Sequence, residues 1–268
     1  MNWHEELVVE PTLGQAGNQF RASISDEWTS LQGAHGGIVA ALALKAAEEV
    51  LAREGISAEA SMRAATLGYV SGNVVGDIDI EVEIIRRGRA LSTTHVRTSQ
   101  NRKTTTVARF YHSPPWDGME YSDAPEMPER PSETINLYRE GTKSHLNNVE
   151  THLHSSTAIL AGADRAEWMA WSRPLHGGSL DSAWLLMFGD YFPPAVFAKA
   201  TTPQRAVTIE YSIQVHSADG NWVLGDDEYL TSRMHAFHSH DGFAVEDGWI
   251  YLPDGQLLAT TRQTRLAG

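Results

Sequence analysis

HGGIVAALALKAAEEVLAR, residues 35–53, reads as a helix that only an enclosing layer of other structure can satisfy. From Ile38 to Arg53 it is rich in strong helix formers, and Gly55 stands where a left-handed C-terminal cap belongs. Its first two turns are apolar on every side, so it cannot lie on a surface. The opening triplet, His35-Gly36-Gly37, recurs as His176-Gly177-Gly178, about half the chain further on. There too an apolar run follows, SLDSAWLLMFGDYF from Ser179 to Phe192, read as a second helix that Pro193-Pro194 stops. A recurrence at half the chain length predicts one architectural unit used twice.

The segments around these helices read as strands. Ile78, Ile80, Val82 and Ile84 alternate with Asp77, Asp79, Glu81 and Glu83, a period of two with one buried and one solvated face. Ala90 to Gln100 and Thr104 to Tyr111 follow, with Asn101-Arg102-Lys103 as the turn. Five of the eleven prolines then fall between His112 and Ser132, which marks a linker. In the second half, strands are expected at Asn148 to His154, Glu167 to Trp171, Trp222 to Met234, Gly248 to Tyr251 and Gln256 to Leu266. Ala206 to Val215 alternates Val207, Ile209, Tyr211, Ile213 and Val215 against Thr208, Glu210, Ser212 and Gln214. One long buried helix and several antiparallel strands per half make the class α+β.

The chain has 268 residues, enough for two domains, and a formal charge of −13. That charge disfavours a nucleic-acid partner, and any anionic ligand must meet a local basic cluster. The chain has no cysteine, hence no disulfide, thiolate nucleophile or zinc ribbon, which fits a reducing cytoplasm. MNWHEELVVEPTLGQAGNQF does not read as a signal peptide, and the longest apolar stretch, Ile38 to Leu44, is too short to span a membrane.

Several local patterns, taken in order, resemble the TesB-like acyl-CoA thioesterases. They are His35-Gly36-Gly37-Ile38-Val39-Ala40, Arg86-Arg87-Gly88-Arg89 and Gln100-Asn101-Arg102-Lys103 in the first half. In the second they are Phe188-Gly189-Asp190-Tyr191-Phe192-Pro193-Pro194, Val207-Thr208-Ile209-Glu210-Tyr211, and the run from Pro253-Asp254-Gly255 to Gln263. The resemblance implies a double hotdog: two tandem units, each a curved antiparallel sheet wrapped around a long central helix. The first unit would span 1–112, a linker 113–140 and the second unit 141–268. It also implies hydrolysis of an acyl-CoA thioester by an oriented water, with no cofactor, and a homodimer or higher homo-oligomer.

In that family an aspartate, a threonine and a glutamine orient the water, and the matching positions are Asp190, Thr208 and Gln263. Asp190 falls in the last turn of its helix, where the negative end of the dipole disfavours a carboxylate and raises its pKa toward that of a general base. A solvated aspartate at a helix end is the plainer reading, and Thr208 and Gln263 taken singly are ordinary strand residues. Gly36, Gly37, Gly177 and Gly178 open helices and could offer backbone N–H groups to an oxyanion, or simply allow close packing.

His35 and His176 invite a general-base or metal reading but read as hydrogen-bonding residues before a helix, and His35 joins the glycines as a candidate substrate-binding residue. The sets His152 with His154, and His235, His238 and His240, lack further ligands placed by sequence, so no metal site is expected. Arg86, Arg87 and Arg89, with Arg102 and Lys103 at what reads as an adjacent hairpin end, are candidates for the phosphates of coenzyme A, or else a solvated turn. The acyl chain is expected in an apolar tunnel beside the second helix. Alternatives are a non-catalytic acyl-thioester-binding protein and an enoyl-thioester hydratase; the nearest hydratase-like string, Gly76-Asp77-Ile78-Asp79, lacks the required Pro and His. Fourteen residues on from each His-Gly-Gly stand Glu49 in the first copy and Asp190 in the second, so the chemistry is expected mainly in the second half.

Overall fold

The alternation at Ile78, Ile80 and Val82 is realised as a strand with these three side chains buried and Asp79, Glu81 and Glu83 exposed. In the computed structural model, residues 3–12, 17–56, 60–138, 140–175, 179–217 and 219–268 are described. The second triplet, His176-Gly177-Gly178, lies outside them.

The main elements of the first half are β1 (Gln19–Ile24), α1 (Gly36–Arg53), β2 (Ser61–Tyr69), β3 (Gly76–Arg86), β4 (Ser92–Gln100) and β5 (Lys103–Ser113). Those of the second half are β6 (Val149–His154), β7 (Glu167–Pro174), α2 (Ser182–Gly189), β8 (Ala206–Val215), β9 (Leu230–His240), β10 (Phe243–Tyr251) and β11 (Leu257–Ala267). They form a 13-stranded sheet in the order β1-β3-β4-β5-β2-β8-β11-β10-β9-β7-β6, with the short strands Glu10–Pro11 and Thr134–Asn136 at its two edges.

Outward from the central β2–β8 pair, each half repeats one pattern: the strand that follows the helix, then the remaining hairpins in reverse chain order. The duplication suspected from the twin triplets is thus present in the topology. The halves meet through antiparallel pairing, with Glu210 opposite Gly68 and Gln214 opposite Ala64.

Every residue of α1 from Gly37 to Leu44 is buried, as its all-round apolar start requires. The second helix is shorter than the apolar run suggests. Ser179–Asp181 instead pair with Asn221–Val223, and α2 begins only where the Asp181 side chain accepts the Trp184 N–H at 2.8 Å. Among the described residues α1 has 18 residues, whereas α2, where a long helix is expected, has eight, all buried.

The helices run antiparallel against each other. Lys45 of α1 donates to Asp181 at the start of α2 over 2.7 Å, while at the other end a Cβ on Gly37 would stand 2.5 Å from the Met187 carbonyl oxygen. Gly37 is what lets the two backbones approach this closely. The N-terminus of α1 therefore lies beside the C-terminus of α2.

Candidate active site

Asp190 is the residue that caps α2, and the antiparallel packing changes its electrostatic setting. The negative end of its own helix is met by the positive end of α1, whose first-turn N–H groups have no acceptor within the helix. Gly36, the first residue of α1, is in direct contact: a Cβ there would stand 2.7 Å from Asp190 Oδ2. Gly189 is equally constrained, because any side chain would run into the Tyr211 ring on β8.

A β-bulge brings Thr208 to the same place. Thr208 pairs with Arg265 and Tyr211 with Gln263, with the extra residue between Thr208 and Glu210. The bulge turns Thr208 and Tyr211 to the same face, whereas the alternation read from sequence puts Thr208 on the polar side. Thr208 Oγ1 donates to Gln263 Oε1 at 2.8 Å, and Gln263 Nε2 donates to the Gly189 carbonyl at 3.3 Å. The three residues singled out by the resemblance therefore converge: Asp190 from the end of α2, Thr208 from β8 and Gln263 from β11.

A buried ion pair that the sequence reading missed supports them. Arg265, two residues beyond Gln263 on β11, donates through Nη1 to Thr208 Oγ1 (2.8 Å) and through Nη2 to Glu246 Oε1 (2.9 Å). Both charged side chains are almost wholly buried. The other Glu246 oxygen accepts the Ala195 N–H and so fixes the turn just after Asp190. The available signal was an arginine and a glutamate in the inward phase of neighbouring strands, where an unpaired charge would be prohibitive.

Burial raises the Asp190 pKa to about 6; Arg265 opposes this rise and Glu246 adds to it. Thr208 has one hydroxyl proton and two acceptors near it, and the geometry commits that proton to Gln263 rather than to Asp190. The Tyr69 hydroxyl, at the end of β2, faces the carboxylate closely enough to favour its charged form, yet too loosely for a well-formed hydrogen bond.

His35 comes from the first half. Its Nε2 donates to the Asp190 carbonyl oxygen (3.1 Å) and stands 4.0 Å from Oδ2. That separation is not an ion pair, because burial pushes the His35 pKa down to about 4 and keeps the ring neutral. His145 stacks on it with ring centroids 4.4 Å apart and lies 3.3 Å through Nδ1 from the Thr29 carbonyl.

The remaining candidates lie elsewhere. The two basic turns are not adjacent: Arg87 and Arg89 lie before β4 and Arg102 after it, so the strand separates them. Arg87 is bound to Glu54 at the C-terminal end of α1, about 27 Å along the helix from Gly36. A groove opens there, lined by Glu54, Glu83, Arg87, His95 and Arg97, and it is remote from Asp190. Arg102 and Lys103 stand at the Tyr69 end of the sheet, where the Val70 N–H bonds the Thr105 carbonyl at 2.8 Å. Glu49, the counterpart of Asp190 by simple counting, is exposed and pairs with Arg53 at 2.9 Å. Among the described residues no three His, Asp or Glu side chains are grouped to hold a metal.

With this geometry in place, the sequence pattern of the acyl-CoA thioesterase N-terminal domain matches residues 24–113, and that of the C-terminal domain matches residues 121–267. The chain belongs to the acyl-CoA thioesterase family. Its reaction is the hydrolysis of an acyl-CoA thioester.

Solved structures similar to this thioesterase share its fold at low identity. A hotdog-fold protein from Alicyclobacillus acidocaldarius has a TM-score of 0.84 at 21% identity, covering 100% of this chain and 98% of that one. The acyl-CoA thioesterase II TesB2 of Mycobacterium marinum has 0.76 at 18%, covering 100% and 97%. The tesB protein of Mycobacterium avium subspecies paratuberculosis has 0.75 at 19%, covering 99% and 97%. The fold is a hotdog. No curated protein sequence matches the chain.

Proposed function

We propose that hydrolysis takes place at the Asp190, Thr208 and Gln263 cluster, across the boundary between two tandem hotdog units, 1–112 and 141–268, joined by a linker at 113–140. The convergence of these three side chains beside the start of α1 carries this reading. A water accepts a hydrogen bond from the free Nε2 proton of Gln263 and donates one to Asp190. Its oxygen attacks the thioester carbonyl carbon while its proton passes to the Asp190 carboxylate. The negative charge that forms on the carbonyl oxygen is met by the first-turn N–H groups of α1 beside Gly36. Collapse of the tetrahedral intermediate breaks the C–S bond, the electron pair leaves on sulfur, and the proton held by Asp190 passes to the thiolate. The products are the free acid and coenzyme A.

The acyl chain lies against the apolar side of α2, where Trp184 and Phe188 stack at 4.5 Å. The phosphates of coenzyme A meet Arg102 and Lys103, with Arg205 just before β8; these exposed cations stand at the end of the sheet that carries Tyr69 and Thr208. The cytoplasm is the proposed compartment, in keeping with a chain without cysteine. A homo-oligomer is the proposed assembly: Leu31, Val74 and Val75 are exposed on two segments tied by the Ala34 N–H to Asn73 carbonyl bond (2.9 Å), and they offer a second copy an apolar surface.

The test is thiol release from acyl-CoAs of graded chain length, read without interference from protein thiols. Hydrolysis that survives both Asp190→Asn and Gln263→Ala at full rate would place the chemistry elsewhere.

A further inference from the structure

The Tyr69 side chain is a polar group in the site that is used by none of these steps. The Tyr69 hydroxyl is buried beside the Asp190 carboxylate without a well-formed hydrogen bond, although buried hydroxyls are nearly always paired. Its neighbours behave normally: Tyr211 donates to the Leu186 carbonyl at 2.9 Å and Tyr191 to the Leu146 carbonyl at 3.0 Å. Tyr69 ends β2, and the point where a Gly36 Cβ would sit is 2.9 Å from its hydroxyl and 2.7 Å from Asp190 Oδ2. The phenol and the carboxylate thus flank the same space at the mouth of α1.

We propose that Tyr69 is a catalytic residue whose hydroxyl donates a hydrogen bond to the thioester carbonyl oxygen, alongside the first-turn N–H groups of α1. The inference rests on the reading of Asp190 as the base. Elimination among the neighbouring hydroxyls and amides supports it: the Thr208 proton goes to Gln263, and Gln263 needs its free N–H for the water, while Arg265 directs both Nη atoms to Thr208 and Glu246 and keeps its Nε–H unpaired. Tyr69 is left as the uncommitted hydroxyl donor facing this space among the described residues. Burial first, and the neighbouring Asp190 charge next, raise its pKa well above the ordinary phenol value, so it stays a donor throughout the working pH range. As the carbonyl carbon becomes tetrahedral, its oxygen gains charge and the hydrogen bond tightens. The proton remains on Tyr69, and the bond relaxes when C–S cleavage restores the carbonyl.

Tyr69→Phe keeps the ring and removes only the hydroxyl. The expected result is a fall in kcat on the order of 10²-fold on the pH plateau with KM little changed, the loss typical of one oxyanion donor. A structural role would not produce a second expected effect. Tyr69→Phe should weaken a ketone-bearing S-(2-oxoalkyl)-CoA while leaving a carbonyl-free S-alkyl-CoA thioether bound as before. Full plateau rate in Tyr69→Phe, or equal weakening of both analogues, overturns the assignment. Asp190→Asn, run in parallel, separates the two levels: an inactive Asp190→Asn beside an unimpaired Tyr69→Phe removes only Tyr69, whereas a fully active Asp190→Asn removes the reading of the whole site.

Discussion

Arg265 holds Thr208 by a 2.8 Å hydrogen bond to its hydroxyl oxygen, and this bond fixes the direction of the Thr208 proton. With one lone pair occupied by the guanidinium, the hydroxyl points its hydrogen at Gln263 Oε1, which in turn directs the Gln263 Nε2 to the Gly189 carbonyl next to Asp190 and leaves it a second N–H to donate. In the proposed mechanism, water is oriented through a chain that starts at a buried ion pair. Arg265→Ala is therefore expected to lower kcat by at least about 10-fold through misplacement of the amide. It should also destabilise the protein by about 3–5 kcal/mol, because Glu246 is left buried and unpaired. Chemical denaturation and steady-state kinetics on the same preparation check both. The double variant Arg265→Met, Glu246→Gln should recover much of the stability without the activity.

With Asp190 as the proposed base, its pKa of about 6 is expected to set the acid side of the rate profile. As a base, Asp190 must be ionised, so kcat/KM should fall tenfold per pH unit below about 6 and level off above it. The linkage to stability has the opposite sense. The folded-state pKa lies above the ordinary carboxylate value of 3.8, so the folded protein binds this proton more tightly than the unfolded chain. The associated stability is present below about pH 4 and is lost as pH rises through about 6, a penalty of about 3 kcal/mol at neutral pH. Asp190→Asn should thus lose on the order of 10²-fold in activity while melting higher than the parent at pH 7. A lower melting temperature at that pH would show that the carboxylate is not penalised by burial.

Adjacent glycines should fail in different ways. A methyl on Gly36 would meet only side-chain atoms, Asp190 Oδ2 and the Tyr69 ring and hydroxyl at 2.7–2.9 Å, so Gly36→Ala displaces the reacting groups. A methyl on Gly37 would meet the Met187 carbonyl and Cα at 2.5 and 3.0 Å as well as the His35 ring at 2.7 Å, and because the Met187 atoms are backbone, Gly37→Ala pushes the helices apart. Gly36→Ala is expected to cost mainly activity, and Gly37→Ala about 1–3 kcal/mol of stability. Equal effects of the two on melting temperature would contradict the division.

Much of this was legible in the chain because its signals were local. The apolar start of α1, the period of two in β3 and the turn at Asn101-Arg102, which has φ of 51° and 63°, each depend on neighbours in sequence. What the sequence hid was non-local or singular. The bulge that re-aims Thr208 adds one residue to an otherwise perfect alternation, and no composition marks it. The shortness of α2 follows from Ser179–Asp181 pairing with Asn221–Val223, a partner some forty residues away. Tyr69 and Asp190 come from opposite halves, so no spacing within either half could join them. The basic turns looked adjacent because hairpin ends alternate sides along a sheet, a geometric fact that a count of intervening residues does not register.

Acid should unfold the protein through its histidines before its carboxylates are exhausted. His35 and His112 are 5% and 2% exposed, and burial pushes both pKa values down to about 4; His145, stacked on His35, goes to about 3 through burial and that neighbour. His112 has no partner for either ring nitrogen, so nothing in the fold offsets its charging. For a depressed histidine the stability is intact above the unfolded value of about 6.5 and is lost as pH falls toward the folded value. His35 and His112 each forfeit about 3 kcal/mol across that window, which outweighs the opposite contribution of Asp190. Melting temperature should therefore drop steeply between about pH 6.5 and pH 4. His112→Phe, which fills the same apolar site without a titrating group, should flatten the slope while leaving kcat unchanged, since His112 does not touch the Asp190 cluster. A slope unaltered by that substitution would assign the acid lability to other groups.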